Sequence, residues 1–263
     1  MRLALALVLL LIPAGSTAPA PATTLPAPTP CSACWHPAVG EAWQIQLSGA
    51  VDTSVGQPID DVDYQTPLAR VDGLRNRGVH VICYVDAGGW ENYRPDRGAY
   101  PKSVLGKIMQ GWPNERWVDI RRLSVLLPIL RRRAELCQRH GFSAVDWDDV
   151  EGYQNATGFP LTAADQMRFN MALANMTHRL GLAVGLKNDV DQAGRLLRYF
   201  DFAVNEQCFD YQECSLLRPF IKAGKPVFQI EYHALPQLCA RSRADGFSTL
   251  VKHLSLDAWR RAC

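Results

Sequence analysis

Two hydrophobic periods alternate along the chain, and the switch between them recurs. Short apolar runs bounded by Gly, Pro and polar residues read as strands. Longer stretches with apolar residues three and four apart read as helices. Strands are predicted over 43–47 (Trp-Gln-Ile-Gln-Leu), 59–63, 79–86, 142–148, 182–187, 200–205, 226–231 and 247–252. Helices are predicted over 68–77, 124–140, 162–180, 191–199, 216–223 and 236–245. Gly78, Gly141, Gly181 and Gly224 stand at helix ends, where the chain commonly leaves through a left-handed residue. Thr162-Ala163-Ala164-Asp165 has the spacing of a capping box with Asp in place of Glu. Eight strands alternating with helices predict an α/β fold, a (β/α)8 TIM barrel. A doubly wound open sheet is the alternative, but no glycine-rich phosphate fingerprint follows an early strand.

Side chains alternate between the faces of a strand. One set of faces carries Gln44, Gln46, Asp61, Asp63, Tyr84, Asp86, Asp146, Asp148, Lys187, Glu206, Glu231 and Lys252. The other carries Ile45, Val81, Cys83, Val85, Val145, Leu182, Val184 and Leu186. A barrel would pack the apolar set against its helices and gather the polar set at the C-terminal mouth, where barrel enzymes hold their sites. The acids are densest after the strand at 142–148, which ends in Asp146, Asp148, Asp149 and Glu151. Like charges on one face of a buried strand cost stability and push each other's pKa values apart. They therefore mark acid/base work, a metal or a bound cation.

Each candidate has a structural alternative. For Glu206 it is a salt bridge at the barrel rim; for Asp146, a buried carboxylate bonded to Lys187. Lys187 reads as a group that orients carboxylates. Gln46, Asp63, Tyr84, Asp86 and Glu231 are candidates for substrate binding. Trp43, Trp90, Trp112 and Trp117 offer faces for sugar stacking, whereas Trp147 points to the helix layer.

Composition limits the class. The 263 residues, 48% of them apolar, suffice for one large domain with a sizeable core. Residues 1–18 read as a secretory signal: Arg2, an apolar run too short to span a membrane, then Ser16-Thr17-Ala18. Residues 19–40 read as a Pro/Ala/Thr-rich linker, and 41–263 as the catalytic-size domain. A net charge of +2 argues against a nucleic-acid partner. Eight cysteines in an exported chain can form disulfides. Cys208 and Cys214 have the spacing of a loop staple. Cys31, Cys34, Cys239 and Cys263 can pair among themselves, while Cys83 and Cys137 read as buried free thiols. Cys31-Ser-Ala-Cys34 has no second CxxC to make a zinc site and follows no strand to make a redox centre. No histidine pair stands at a strand end, so no metal or cofactor is expected. Asn155 and Asn175 begin glycosylation sequons.

Several motifs resemble glycoside hydrolase family 114. They are Trp43-Gln44-Ile45-Gln46-Leu47, Cys83-Tyr84-Val85-Asp86-Ala87-Gly88, Trp117-Val118-Asp119-Ile120-Arg121, Gly158-Phe159, Gly185-Leu186-Lys187-Asn188, Asn205-Glu206-Gln207-Cys208 and Glu231-Tyr232. The resemblance covers about residues 41–259 in the family's order. It implies a (β/α)8 barrel and an endo-α-1,4-polygalactosaminidase activity, with Asp148 and Glu206 as the two catalytic carboxylates. The motif that the family writes E-P-D-N departs here: Asp146 stands for Glu, Trp147 for Pro and Asp149 for Asn, with the catalytic Asp kept. The expected partner is a cationic amino-sugar polymer, and the expected protein is a secreted monomer. A chitinase-like amino-sugar glycosidase is the competing enzyme, since 146–151 is similar to a D-x-D-x-E strand. A non-catalytic carbohydrate-binding barrel is the competing non-enzyme.

Overall fold

The computed structural model describes residues 26–263; residues 1–18, read from the sequence as a secretory signal, lie outside the described residues. Eight parallel strands form the barrel wall: β1 (Gln44–Gln46), β2 (Ile59–Asp63), β3 (His80–Asp86), β7 (Ala144–Asp148), β8 (Ala183–Lys187), β9 (Phe202–Glu206), β10 (Val227–Glu231) and β11 (Ser248–Val251). Each predicted strand is present within a few residues of its expected bounds. Outside them pack α1 (Leu68–Arg75), α2 (Leu123–Arg139), α3 (Ala163–Arg179), α4 (Val190–Leu196), α5 (Arg218–Lys222) and α6 (Leu238–Asp245). Thr162 caps α3 through the expected box, with Asp165 bonding back to it. The Ser/Gly/Pro-containing stretch 47–58 holds no helix, so the first unit is a bare loop. A short antiparallel strand, β12 (Arg261–Ala262), ends the sheet beside β11.

Register assigns the faces. Ile45, Asp61, Ile82 and Ala144 share one row across β1, β2, β3 and β7. Ile45, Ile82, Ala144, Ala183, Phe202, Val204, Phe228, Ile230 and Leu250 fill the barrel interior as one buried cluster. The larger cluster, with Val81, Cys83, Val85, Val145, Trp147, Val184 and Leu186, lies between sheet and helices. Side chains that are apolar low in the barrel give way to acids near its mouth.

Two faces differ from expectation. On β1 the interior residue is Ile45, so Gln44 and Gln46 are turned away from the barrel axis. The Trp43 indole donates to Ser248 O at 2.8 Å, and Lys252 Nζ donates to Gln44 Oε1 at 3.1 Å, tying the first strand to the last. The outer side of β1 carries glutamines whose amides are satisfied there, Gln44 donating to Ala258 O and Gln46 to Ser48 O and Ala50 O. Glu231 is also turned outward, in register with Val251 of the outer cluster.

Between β3 and α2 the chain inserts a small antiparallel sheet: β4 (Gly89–Glu91), β5 (Leu105–Met109) and β6 (Trp112–Val118). It stands over the mouth and was not predicted. The segment 26–40 is no free linker. Asn175 Nδ2 donates to Ala27 O at 3.1 Å, and Thr29 N donates to Asn175 Oδ1 at 2.6 Å. Trp35 stacks on His80 with ring centroids 4.5 Å apart, below the N-terminal end of the barrel. Asn175 is thereby consumed as a structural contact, whereas Asn155 is exposed.

All eight cysteines are paired: Cys31–Cys34, Cys83–Cys137, Cys208–Cys214 and Cys239–Cys263. The reading of Cys83 and Cys137 as free thiols is corrected. Cys83 is on the outer face of β3, and α2 lays Cys137 directly over it. No helix among the described residues is long and apolar enough to cross a membrane.

Candidate active site

The strand ends at the mouth share a backbone device. Asp149, Asn188 and Gln207, each immediately after β7, β8 or β9, have φ of 57°, 47° and 64°. This left-handed conformation costs about 1–2 kcal/mol for a residue with a Cβ. Such strain concentrates at functional sites. Here it turns the chain sharply, so that the last side chain of each strand points into the mouth. Asn188 fixes the next strand as well, its Oδ1 accepting from Glu206 N at 2.9 Å.

Those last side chains meet. Lys187 Nζ lies 2.9 Å from Asp148 Oδ2 and 3.0 Å from Glu206 Oε1. The Tyr84 hydroxyl donates to Asp148 Oδ2 at 2.7 Å, and Asp149 N donates to Asp148 Oδ1 at 2.8 Å. Burial pushes the Asp148 carboxyl up, but Lys187, Tyr84 and the Asp149 amide together hold it below the usual range. Burial opposes the charge on Lys187 too, yet Asp148, Glu206 and Asp146 push its ammonium well above the ordinary lysine value. Burial, then the nearby Glu206, push the Tyr232 phenol well above its usual value.

Beneath this group lies a second pair of acids. Asp61 and Asp146 are fully buried in the interior and bond each other. Their oxygens have no other hydrogen-bond partner. Burial pushes Asp146 up to about 7, against the pull of Lys187. Asp146 therefore supports the site from below and does not reach the cavity. It is not hydrogen-bonded to Lys187, as the structural alternative required.

The mouth opens into a cavity of about 1100 Å³. Tyr84, Asp86, Asp148, Lys187 and Glu206 line it, with Glu91, Tyr93, Arg94, Trp112 and Glu115 from the inserted segment and Tyr232 directly after β10. Asp63 reaches it but is clamped by Arg94, whose two Nη atoms lie 2.8 and 2.6 Å from its oxygens, while Arg94 Nε binds Glu91 at 2.6 Å. Gln46 borders the cavity through its loop. It donates to Ser48 O and Ala50 O and accepts from Asp52 N, so it shapes that loop. Glu231 is not at the cavity: its Oε1 accepts from Phe209 N at 2.9 Å and from Gln229. Glu231 thus holds the loop after β9 from behind and is withdrawn as a substrate-binding candidate.

The tryptophans divide similarly. Trp43 packs on Phe228 in the barrel floor and Trp117 is buried, so neither faces a sugar. Trp90 donates its indole N–H to Arg97 O. Trp112 and Tyr93 are exposed at the cavity edge. Trp147 is core, its N–H donating to Thr177 Oγ1 at 2.9 Å.

Sequence reasoning missed the residues supplied by the insertion, Glu91, Tyr93, Arg94 and Glu115. Its only signal was the charged and aromatic run Trp90-Glu91-Asn92-Tyr93-Arg94 after two glycines. Asp149 was counted in the strand-end acid cluster but given no role of its own, and Tyr232 was named only within a motif.

A family model described as glycoside hydrolase family GH114 matches residues 24–263. The crystal structure of Aspergillus fumigatus Ega3 in complex with galactosamine superposes with a TM-score of 0.83 at 36% identity, covering 90% of this chain and 99% of that one. The glycoside hydrolase domain of PelA from Pseudomonas aeruginosa superposes with a TM-score of 0.67 at 16% identity, covering 84% of this chain and 98% of that one, a likeness of fold. Among curated proteins no relative was found by sequence. Matched by the family model over the whole of its described length, and built as the barrel that its motifs implied, the chain belongs to glycoside hydrolase family GH114.

Proposed function

We propose that this glycoside hydrolase is a secreted, monomeric, endo-acting enzyme that cleaves α-1,4-linked galactosamine polymers with Asp148 and Glu206. The observation that carries the reading is the single Lys187 ammonium bonded to both carboxylates in an open, acid-lined cavity. Contacts of 2.9 and 3.0 Å to one nitrogen keep the two bonded oxygens within about 6 Å of each other. Retaining glycosidases hold their carboxyl groups about 5–5.5 Å apart, inverting ones roughly 6.5–9.5 Å. The spacing therefore favours retention.

Asp148, kept ionised, attacks the anomeric carbon. Glu206 gives its proton to the departing glycosidic oxygen, and the bond from that oxygen to the anomeric carbon breaks. Glu206 then takes a proton from water, which displaces Asp148 from the glycosyl ester and restores both groups. Galactosamine as the sugar is supported by the ligand of the Ega3 complex and by the carboxylates facing the cavity. An open cleft admits the interior of a polymer. Four disulfides suit an oxidising compartment.

Asp148→Asn and Glu206→Gln should each lower the rate by about 10²–10⁴-fold, with unchanged circular dichroism and melting temperature. A variant that keeps more than about a tenth of the rate does not remove a catalytic group. NMR of the first product should show the α-anomer. Deacetylated galactosamine polymer should be shortened rapidly before monomer appears. Cleavage confined to chitin oligomers would instead support a chitinase-like specificity.

A further inference from the structure

Asp148 is held by three protein donors that divide unequally between its two oxygens. Oδ2 accepts from the Tyr84 hydroxyl at 2.7 Å and from Lys187 Nζ at 2.9 Å. Among the described residues, Oδ1 accepts only from Asp149 N at 2.8 Å. An ionised carboxylate offers about two lone-pair sites on each oxygen. Both sites of Oδ2 are therefore engaged, and one site of Oδ1 is left to meet carbon.

The backbone fixes this division. The left-handed turn at Asp149, with φ of 57°, folds its N–H back onto the preceding side chain. Ala87 N and Gly88 N donate to Asp148 O at 3.0 and 3.2 Å, which locks the end of β7 to the turn after β3. Tyr84 comes from β3, two residues before Asp86, the partner in register of Asp148. The sheet itself thus brings the phenol diagonally across to Asp148 on the interior face. Burial, then Asp148, hold that phenol well above its usual value, so it stays a donor and does not serve as a base. Its single proton is spent on Asp148, which leaves none to donate to a sugar. Lys187 serves Glu206 as well, so a change there would disturb both carboxylates. The Tyr84 hydroxyl has Asp148 as its one partner among the described residues.

We infer that Asp148 attacks the anomeric carbon through Oδ1, and that Tyr84 is a positioning residue which acts on Oδ2 chiefly while the glycosyl ester is broken down. The inference rests on the retaining reading of Asp148 and Glu206. In the first step Oδ1 bonds the anomeric carbon, and the charge on Asp148 fades as the ester forms. A hydrogen bond to Oδ2 stabilises the charged start more than the transition state, so it does not speed this step. In the second step the oxygen of water bonds the anomeric carbon, and its proton passes to Glu206. The bond from Oδ1 to carbon breaks, its electron pair returns to the carboxylate, and the charge spreads onto Oδ2. There Tyr84 donates to a growing charge. A bond that strengthens toward the transition state speeds the step.

The test compares the full-length wild type with Tyr84→Phe on a galactosamine oligomer. Phe keeps the ring, and with it the face that Lys187 Nζ approaches at 5.6 Å from the centroid, so the variant should fold with an unchanged melting temperature. Single turnovers are stopped by quenched flow, and the glycosyl adduct on Asp148 is followed by intact-protein mass spectrometry. In Tyr84→Phe the adduct should form within about three-fold of the wild-type rate and decay about ten-fold or more slowly. In the steady state kcat/KM, which reports the first step, should be kept while kcat falls. A protein carrying 3-fluorotyrosine at position 84, a stronger donor of nearly the same shape, should lose its adduct faster than wild type.

Equal adduct lifetimes in the three proteins would overturn the inference. So would a loss of kcat and kcat/KM in the same proportion without slower decay, which would leave Tyr84 a structural contact. In either case a wild-type α-anomer and its adduct on Asp148 would keep the retaining reading intact. A β-anomer as the first product of the wild type would remove the retaining reading and this inference with it.

Discussion

Asp146 shows how much a single side chain can alter its neighbourhood. It occupies the interior row beside Tyr84, one position below Asp148, and shares its contact with Asp61. Two carboxyls that bond each other away from water need a proton between them. Lys187, Asp148, Glu206 and Asp61 are the charged groups acting on Asp146, and burial outweighs the lysine. The native state therefore holds a proton on this pair that the unfolded chain releases near 3.8. The stabilisation is complete below that value and is lost as pH rises through about 7. Asp60, raised by burial to about 7, and Asp189, raised to about 8, act in the same direction. Asp148, Asp96 and Asp165 are lowered and act oppositely, withdrawing stability as acid protonates them. Denaturant unfolding should therefore give a higher free energy near pH 5 than near pH 8. Asp61→Asn should narrow that gap, because an amide N–H replaces the shared proton. An equal gap in the variant would show that the pair does not carry it.

Elements differ in how plainly the sequence announces them. The eight wall strands and the long helices were legible because burial imposes period 2 or period 3.6 over many residues, as in Val79–Asp86 and Ser124–His140. The proposed pair, Asp148 and Glu206, was legible as a pair of strand-end acids on a face that is apolar lower down. The inserted sheet was not, since an edge-on antiparallel ribbon with polar residues on both faces has no clear period. β1 was misassigned because its three residues alternate correctly in either register, and only the seam with β11 decides which side is wet. The free-thiol reading failed for a related reason: two cysteines on separate elements, 54 residues apart, meet only after the helix docks. That cross-link ties α2 to β3, and closing so long a loop in the unfolded chain should stabilise by about 2–4 kcal/mol. Replacing both Cys83 and Cys137 by Ala should lower the unfolding free energy by that amount. The rate on polymer should be unchanged, because the pair lies on the helix side of the wall. A large loss of activity at full folding would mean that α2 also positions the mouth.

At the scale of the whole molecule, charge is distributed more sharply than its total suggests. The chain carries a net charge of only +2, yet the cavity wall presents Asp86, Glu115, Asp149, Glu151 and Glu206 against few cations. Two of those cations, Arg94 and Lys187, are already engaged by acids. A trough of one sign with low-dielectric walls concentrates ions of the other sign. For a polymer of ammonium groups, each unit threading the cleft adds to the attraction. Salt screens the approach, with a Debye length of about 10 Å at 0.1 M, but screens far less the contacts made once a sugar is seated. Raising sodium chloride from about 0.05 to about 0.3 M should therefore raise KM for deacetylated polymer several-fold. It should leave kcat nearly constant, because the reacting groups are buried beneath bound sugar. An uncharged acetylated oligomer, if cut at all, should show no salt dependence of KM. A kcat that falls in step with KM on the charged polymer would instead place the salt effect on the Asp148–Lys187–Glu206 contacts themselves.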